Sequence, residues 1–346
     1  DVDIGALLSG GIDSTSVVKA LSKNSSTINT FSIGYEDNKY DESQWFEKVV
    51  NKYSTNHITE KITNRDVDNY VHESIDAFDE PYSDPSTVPS YVISKKISNY
   101  YKVALTGDGG DELFGGYTFR YKKFLEQTTD TSTVDEKINL YLNCHERDWT
   151  LDQEKIFSKN CFFSWNEIYE ILKPYFDNSL PRLSQVILAD LNGKLLYNMK
   201  PLYEKIHKFF KIKNFSPFLS KELVSYCTHI PINQKYNYQT NTGKLILIEL
   251  LKKNNIYNLI SQKKQGFSVN TMNMWYNYAQ KIFCNYFDKS RLIEDNIINP
   301  DWIKKHISKN NLDVTYVNKF LGLLALEIWY RLFIVKDLKS NEKLDV

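Results

Sequence analysis

Two hydrophobic periods alternate along the first hundred residues. Residues 3–8 are a short apolar run of strand length, and 14–23 place Val17, Val18 and Leu21 on one helical face. Residues 28–35 read as a second strand. Asp41 with Gln44 three positions on makes a capping-box start for a helix whose apolar side carries Trp45, Val49 and Tyr53. A third strand at 57–62, a helix at 66–78 with Val67, Tyr70, Val71 and Ile75 inward, a helix at 87–100 and a strand at 102–106 complete the series. This βαβαβ alternation predicts an α/β fold with a doubly wound parallel sheet, whose ligands bind at the carboxyl ends of the strands. After about Tyr117 the pattern changes to helix-like segments, 183–196 and 245–253 being the clearest. The expected organisation is an α/β core at 1–117 and a mainly helical region at 118–346 that packs on it.

Composition narrows the class without naming it. Forty-three basic and 43 acidic residues among 346 cancel, so bulk charge supports neither a nucleic-acid nor a membrane-surface partner. Cys144, Cys161, Cys227 and Cys284 are scattered without CxxC spacing, which argues against a zinc site or a disulfide framework and for a reducing, cytoplasmic setting. No apolar run in the sequence is long enough to span a membrane, and no signal peptide is expected from its pattern. It begins at Asp1 without Met, directly before a strand-like run, so a segment upstream is expected to have been removed or to be encoded separately.

The chemistry concentrates in LLSGGIDST, residues 7–15. Gly10 and Gly11 let backbone N–H groups approach a phosphate, the following helix adds its partial positive charge, and Ser9, Ser14 and Thr15 supply hydroxyls. Asp13 stands where a phosphate site would be expected to carry Lys. A carboxylate beside phosphates is repelled unless a divalent cation lies between them, so this acid implies Mg²⁺; an acid near a helix start also serves as a simple cap. The GxxxxGK[ST] pattern of phosphoryl-transferring P-loops is absent. A second acidic cluster, ALTGDGGDELFGGY at 104–117, follows another predicted strand and falls on the same sheet edge. A helix start capped by Asp111 with Glu112 in its first turn explains two of its acids, but not Asp108 between glycines.

The stretch SGGIDS resembles the pyrophosphate loop (PP-loop) of ATP pyrophosphatases, the adenine nucleotide alpha hydrolase-like group that cuts ATP between its α and β phosphates. With FSIGYEDNKYDES, DEPYSDPSTVPSYVISK, LTGDGGDELFGGY, SPFLS and KKQGF in order, the chain resembles the synthetase domain of asparagine synthetase.

The resemblance implies that Leu8, Ile33, Thr106 and Gly107 line an adenosine pocket. Ser9, Gly10, Gly11, Ile12, Asp13 and Ser14 would hold pyrophosphate, and Asp13 and Asp111 would share Mg²⁺. Asp108 occupies the place of a catalytic acid, usually Glu. Lys263 and Lys264, which outside this context would read as a solvated pair, bring positive charge to the leaving pyrophosphate, with Lys263 the favoured one. The implied reaction uses ATP and Mg²⁺ to activate a carboxylate, aspartate or an analogue, as an acyl-adenylate, which ammonia or an amine converts to an amide. The amine would come from a glutaminase domain or a partner, and the class admits a homodimer. No enzyme nucleophile is required, and the six histidines (57, 72, 145, 207, 229 and 306) read as structural or exposed.

The acceptor side departs from the family. Counting back from Pro217, residues 195–208 (LLYNMKPLYEKIHK) replace a segment close to LPDDLLVKVDRASM, with Glu204 and Lys205 at its Asp-Arg pair, and PFLD has become PFLS. This leaves open a specialised relative that amidates a sugar acid or closes a lactam or peptide ring. A nucleotide-binding module without catalysis is the competitor from another class.

Overall fold

The computed structural model describes residues 4–35, 42–81, 84, 86–145, 152–161, 164–262, 271–308 and 312–342, with backbone alone at 64–68, 273, 274 and 278. Five strands, β1 (Ile4–Leu7), β2 (Asn29–Tyr35), β3 (Asn56–Ile62), β4 (Val103–Leu105) and β5 (Lys213–Phe215), form a wholly parallel sheet in the order β3-β2-β1-β4-β5. Strand order runs one way from β1 and the other way from β4. Between these two neighbours lies the switch point at which a doubly wound sheet opens a crevice for ligand. The loops after β1 and β4 carry the two acidic motifs.

The sheet follows from its sequence. Thr30, Phe31, Ser32 and Ile33 of β2 are all buried, as in a strand covered on both faces. The two hydroxyls are satisfied locally: Thr30 Oγ1 meets Thr55 Oγ1 at 2.7 Å and Ser32 Oγ donates to the Leu8 carbonyl. Gly5 in β1 is required by packing, since a Cβ there would lie 2.8 Å from the Tyr101 ring.

Helix α1 (Ile12–Leu21) sends Val18 to a cluster with Ala6, Leu8, Phe46, Val49 and Leu251, and Val17 to a second cluster with Leu113, Phe114, Phe218 and Leu247. The helix Leu245–Lys253 therefore contributes to both clusters and is fixed at two points. Burial of Leu247 and Leu251 stabilises that placement by roughly 1.5–3 kcal/mol each.

The helices α2 (Ser43–Tyr53), α3 (Asn64–Phe78) and α4 (Thr87–Ile97) fall where the hydrophobic period predicts them. Asp41, and with it the capping box, lies outside the described residues. Two elements differ from expectation. The run at 183–196 is an α-helix only over Arg182–Ala189 and continues as a π-helical segment, Asp190–Met199, before the helix Lys200–Phe209. Strand β5 comes from a stretch too short to show a period.

Two compact units, each discontinuous in sequence, make up the chain. The first comprises Asp1–Thr63, Val92–Lys137 and Pro174–Gly266 and contains the sheet; the second comprises Asn64–Tyr91, Ile138–Lys173 and Phe267–Val346. The second is organised around Trp275, which stacks on Phe320 at 5.3 Å, with Phe283, Trp302 and Ile328 in the same cluster. Its long helix, Val314–Trp329, is capped by Asp313, whose side chain accepts from the Thr315 N–H at 2.7 Å.

Candidate active site

The loop after β1 is closed on itself by its serines. Ser9 N–H donates to Ser14 Oγ at 3.2 Å, the two hydroxyls meet at 3.1 Å, and Gly11 N–H donates to Ser9 Oγ at 3.3 Å. Gly11 is the N-cap of α1, so Ile12 opens the helix and Asp13 sits in its first turn. Gly10 has φ +77°, and a Cβ on it would meet the Phe46 backbone nitrogen at 2.6 Å. Its carbonyl accepts from the Ser261 N–H at 3.0 Å, two residues before Lys263. Lys263 and Lys264 themselves lie outside the described residues. The side chain of Leu8 belongs to the hydrophobic cluster beneath the loop, Ile33 and Thr106 are buried, and Ile12 is partly buried between the two clusters.

Glycines bring the second loop against the first. A Cβ on Gly107 would approach the Asp13 Cβ to 2.9 Å, and one on Gly110 would come within 2.5 Å of Asp13 Oδ1. Helix α5 (Gly110–Phe114) has Gly109 rather than Asp111 as its N-cap, so Asp111 lies in the first turn and directs its carboxylate to Lys244 instead of capping. The loop is also tied to β5: Thr106 N–H donates to the Phe215 carbonyl at 3.0 Å, and Ser216 Oγ to the Asp108 carbonyl at 2.5 Å.

Asp13 and Asp111 are joined by Lys244, a residue that sequence reasoning missed. Its Nζ is hydrogen-bonded to Asp13 Oδ2 and lies 2.7 Å from Asp111 Oδ1, and its side chain is only 7% exposed. Lys244 is the N-cap of Leu245–Lys253 with φ +55°, ψ +33°, a left-handed backbone that costs a non-glycine residue about 1 kcal/mol. Its N–H donates to the Phe114 carbonyl at 2.9 Å. Gly243 permits this approach, for a Cβ there would strike the Gly115 carbonyl oxygen at 1.9 Å. One signal was available in the sequence: a cation at the start of a helix opposes the helix dipole and calls for another reason to be there.

Buried charge extends outward from this point. Glu112 accepts from the Tyr117 hydroxyl at 2.5 Å, and burial, reinforced by the Asp111 charge, raises its carboxyl pKa to about 7. Arg120 and Asp190, both essentially inaccessible, pair at 2.6 Å. The Arg120 guanidinium and Lys194 Nζ lie 4.1 and 4.2 Å from the Tyr117 ring centre. Asp108 accepts from Thr106 Oγ1 at 2.6 Å. Desolvation raises its pKa to about 6 despite the opposing hydrogen bonds from Thr106 and Asn214, and the Asp13 charge adds to the rise.

On the acceptor side, Ser220 caps the helix Lys221–Thr228, accepting from the Leu223 N–H at 3.3 Å. Ser and Asp are both strong N-caps, so the change from PFLD to PFLS leaves this turn intact. Glu204 faces solvent and pairs with Lys200 one helical turn away at 3.4 Å.

The acid pair fits a magnesium ion. Asp13 and Asp111 already converge on one cation point walled by glycine backbone, where a Cβ on Gly116 would lie 1.8 Å from Asp111 Oδ1. Mg²⁺ is commonly bound through one or two carboxylates, with phosphate oxygens and water completing the shell. Among the described residues no group of three or more metal-ligating side chains offers a competing, all-protein site.

A parallel doubly wound sheet, with a serine-glycine loop and convergent carboxylates at its switch point, defines an α/β protein of the PP-loop type. The asparagine synthase family model matches residues 1–331, and the chain belongs to that family. Asparagine synthetase [glutamine-hydrolyzing] 1 of Bacillus subtilis is 23% identical over an alignment covering 99% of this chain and 58% of that protein. A putative asparagine synthetase [glutamine-hydrolyzing] 2 of Methanocaldococcus jannaschii is 41% identical over 119 residues, 34% of this chain and 23% of the relative. A putative asparagine synthetase [glutamine-hydrolyzing] of Mycobacterium tuberculosis is 34% identical over 118 residues, 34% of this chain and 18% of the relative. The chain thus spans less than two thirds of the length of these relatives. None of the described helices is long and apolar enough to cross a membrane.

Proposed function

We propose that the protein is an ATP-dependent amide-bond synthase that releases AMP and pyrophosphate. The observation that carries this reading is the convergence of Asp13 and Asp111, from two different strand ends, on one cation point beside the serine-glycine loop. Bound there, Mg²⁺ would neutralise phosphate charge and let two carboxylates face a triphosphate. The backbone N–H groups of 9–14 and the start of α1 would hold the pyrophosphate portion, and Leu8, Ile33, Thr106 and Gly107 would border the adenosine. Residues 1–117 would then supply the nucleotide site and 118–346 complete it. Lys263 and Lys264, which follow the anchored Ser261, would carry positive charge to the departing pyrophosphate.

In the second step the amine nitrogen bonds to the activated carbonyl carbon and the bond to AMP breaks. Asp108, oriented by Thr106 and Asn214, would take the proton the amine loses. Ammonia or an amine would reach the site from a glutaminase domain or a partner, in a cytoplasmic protein that could pair as a homodimer.

A second reading, a specialised relative with another carboxylate acceptor, is favoured by one observation. Glu204 stands where the family pattern has Asp of an Asp-Arg pair, and it is engaged with Lys200 on a solvent face. The two readings separate on substrate. Protein incubated with ATP, Mg²⁺ and a panel of carboxylates and amines is expected to release pyrophosphate with at least one pair. Aspartate-dependent release with asparagine as product selects the first reading; release with sugar acids or amino-acid chains alone selects the second. Tight ATP binding without turnover across the panel would identify a non-catalytic module, and undiminished release by Asp13→Asn would overturn the metal assignment.

A further inference from the structure

Lys244 stands apart from the machinery that the motifs announce. Asp13 and Asp111 flank it, and three features hold it there. Its ammonium group contacts both Asp13 and Asp111. Its backbone occupies the left-handed region, which a lysine adopts at a cost and keeps only when the surroundings fix it. The space around it is closed by glycine backbone: a Cβ on Gly116 would come within 2.5 Å of Lys244 Cε, and one on Gly243 would strike the Gly115 carbonyl oxygen. Two carboxylates this close to a common point repel each other, and a single positive charge between them offsets that repulsion.

We propose that Lys244 is an internal cation that holds the divalent-metal position of the free protein, so that the metal enters only together with a nucleoside triphosphate. An ammonium and a doubly charged ion repel each other at the same pair of carboxylates, so one displaces the other. Mg²⁺ alone offers the displaced ammonium no new partner. A metal-triphosphate complex does, because its phosphate oxygens bring negative charge to the same loop and can receive Nζ as the ion takes the carboxylates. Free divalent ions alone then leave Lys244 in place, and loading of metal and nucleotide is a single event.

The inference rests on the ATP and Mg²⁺ reading above, and its test separates the two. Mn²⁺ serves as the probe, followed by electron paramagnetic resonance of the unbound ion, with the non-hydrolysable analogue α,β-methylene-ATP. Wild-type protein is expected to take up no Mn²⁺ alone at concentrations where it takes up Mn²⁺ with the analogue. Lys244→Met, its folding checked by circular dichroism, is expected to bind Mn²⁺ alone at least about tenfold more tightly than wild type, a difference of about 1.4 kcal/mol or more. Equal binding of Mn²⁺ alone by the two proteins, or none by folded Lys244→Met, overturns the proposal. If the variant does not fold, the wild type decides: uptake of Mn²⁺ alone as tightly as with the analogue overturns it, and uptake only with the analogue supports it. Tight binding of Mn²⁺ alone by Lys244→Met while neither protein binds the analogue would uphold the internal cation, overturn joint loading with a nucleotide and remove the nucleotide reading.

Discussion

The two units of the chain bury different things. The second is organised by aromatic packing, with Trp275, Phe283, Trp302 and Phe320 in one cluster, and Glu327, a buried carboxylate among its described residues, is structural. Glu327 accepts from Ser290 Oγ at 2.7 Å, from the N–H groups of Arg291 and Leu292 at 2.9 and 3.1 Å, and from Arg331 Nε at 2.7 Å. The first unit buries Asp111, Glu112, Arg120, Asp190 and Lys244 and sets the partly buried Asp13 and Asp108 beside them, with like charges adjacent. Glu327 is met by four donors, whereas in the first unit the Asp13 charge adds to the pKa rise of Asp108 and the Asp111 charge to that of Glu112. Acids such as Asp108 and Glu112, whose pKa is raised by burial and by a neighbouring acid, are expected where a ligand completes the balance.

The largest expected effects test whether this difference is energetic. Asp190→Ala would leave Arg120 buried without its carboxylate and is expected to lower unfolding stability by about 3–5 kcal/mol, read from urea denaturation. Replacing both residues by apolar ones of similar size should cost far less, because no charge is then stranded. Trp275→Ala should cost a similar 3–5 kcal/mol in the second unit for a different reason, the cavity it leaves among aromatic rings. A small loss for Asp190→Ala would erase the contrast.

Next in size, Asp13→Asn is expected to lower pyrophosphate release by about 10²–10³-fold, the scale seen when a positioned electrostatic group is removed. Its far-ultraviolet circular dichroism should be unchanged.

A smaller effect concerns pH. In its proposed role Asp108 accepts a proton only as a carboxylate, so the proposed amide formation is expected to fall off below about pH 6 in the rate profile of the free protein. The sign for stability is the opposite. The folded pKa lies above the ordinary 3.8, so the stabilisation by the protonated form is present below pH 3.8 and is lost as pH rises through about 6. Asp108→Asn should therefore gain stability relative to wild type at pH 7 but not at pH 4, while losing the acidic limb of the rate profile.

The smallest expected effect belongs to the acceptor turn. Ser220→Ala should cost about 1 kcal/mol through the lost cap, whereas Ser220→Asp, which restores the family residue, should stay within a few tenths of wild type.

Local pattern determined much of this protein. Alternating apolar periods are set by neighbours a few residues apart, so β1 to β4 and α1 to α4 were legible from the chain. So were the two acidic loops at strand ends, because a parallel sheet sends its successive loops to one edge.

Tertiary structure decided the remainder. Lys213–Phe215 is too short to show a period and becomes β5 only because β4 pairs with it. The π-helical segment at Asp190–Met199 has the periodicity of an ordinary helix in sequence and is distinguished only by its backbone in the fold. Lys244 reads as one of many lysines, since what defines it lies 231 residues away at Asp13 and 133 away at Asp111. A charge acquires meaning from the charges that surround it. Those are set by packing, of the helix Leu245–Lys253 against two hydrophobic clusters and of glycine backbone around the carboxylates, and no window of sequence contains them.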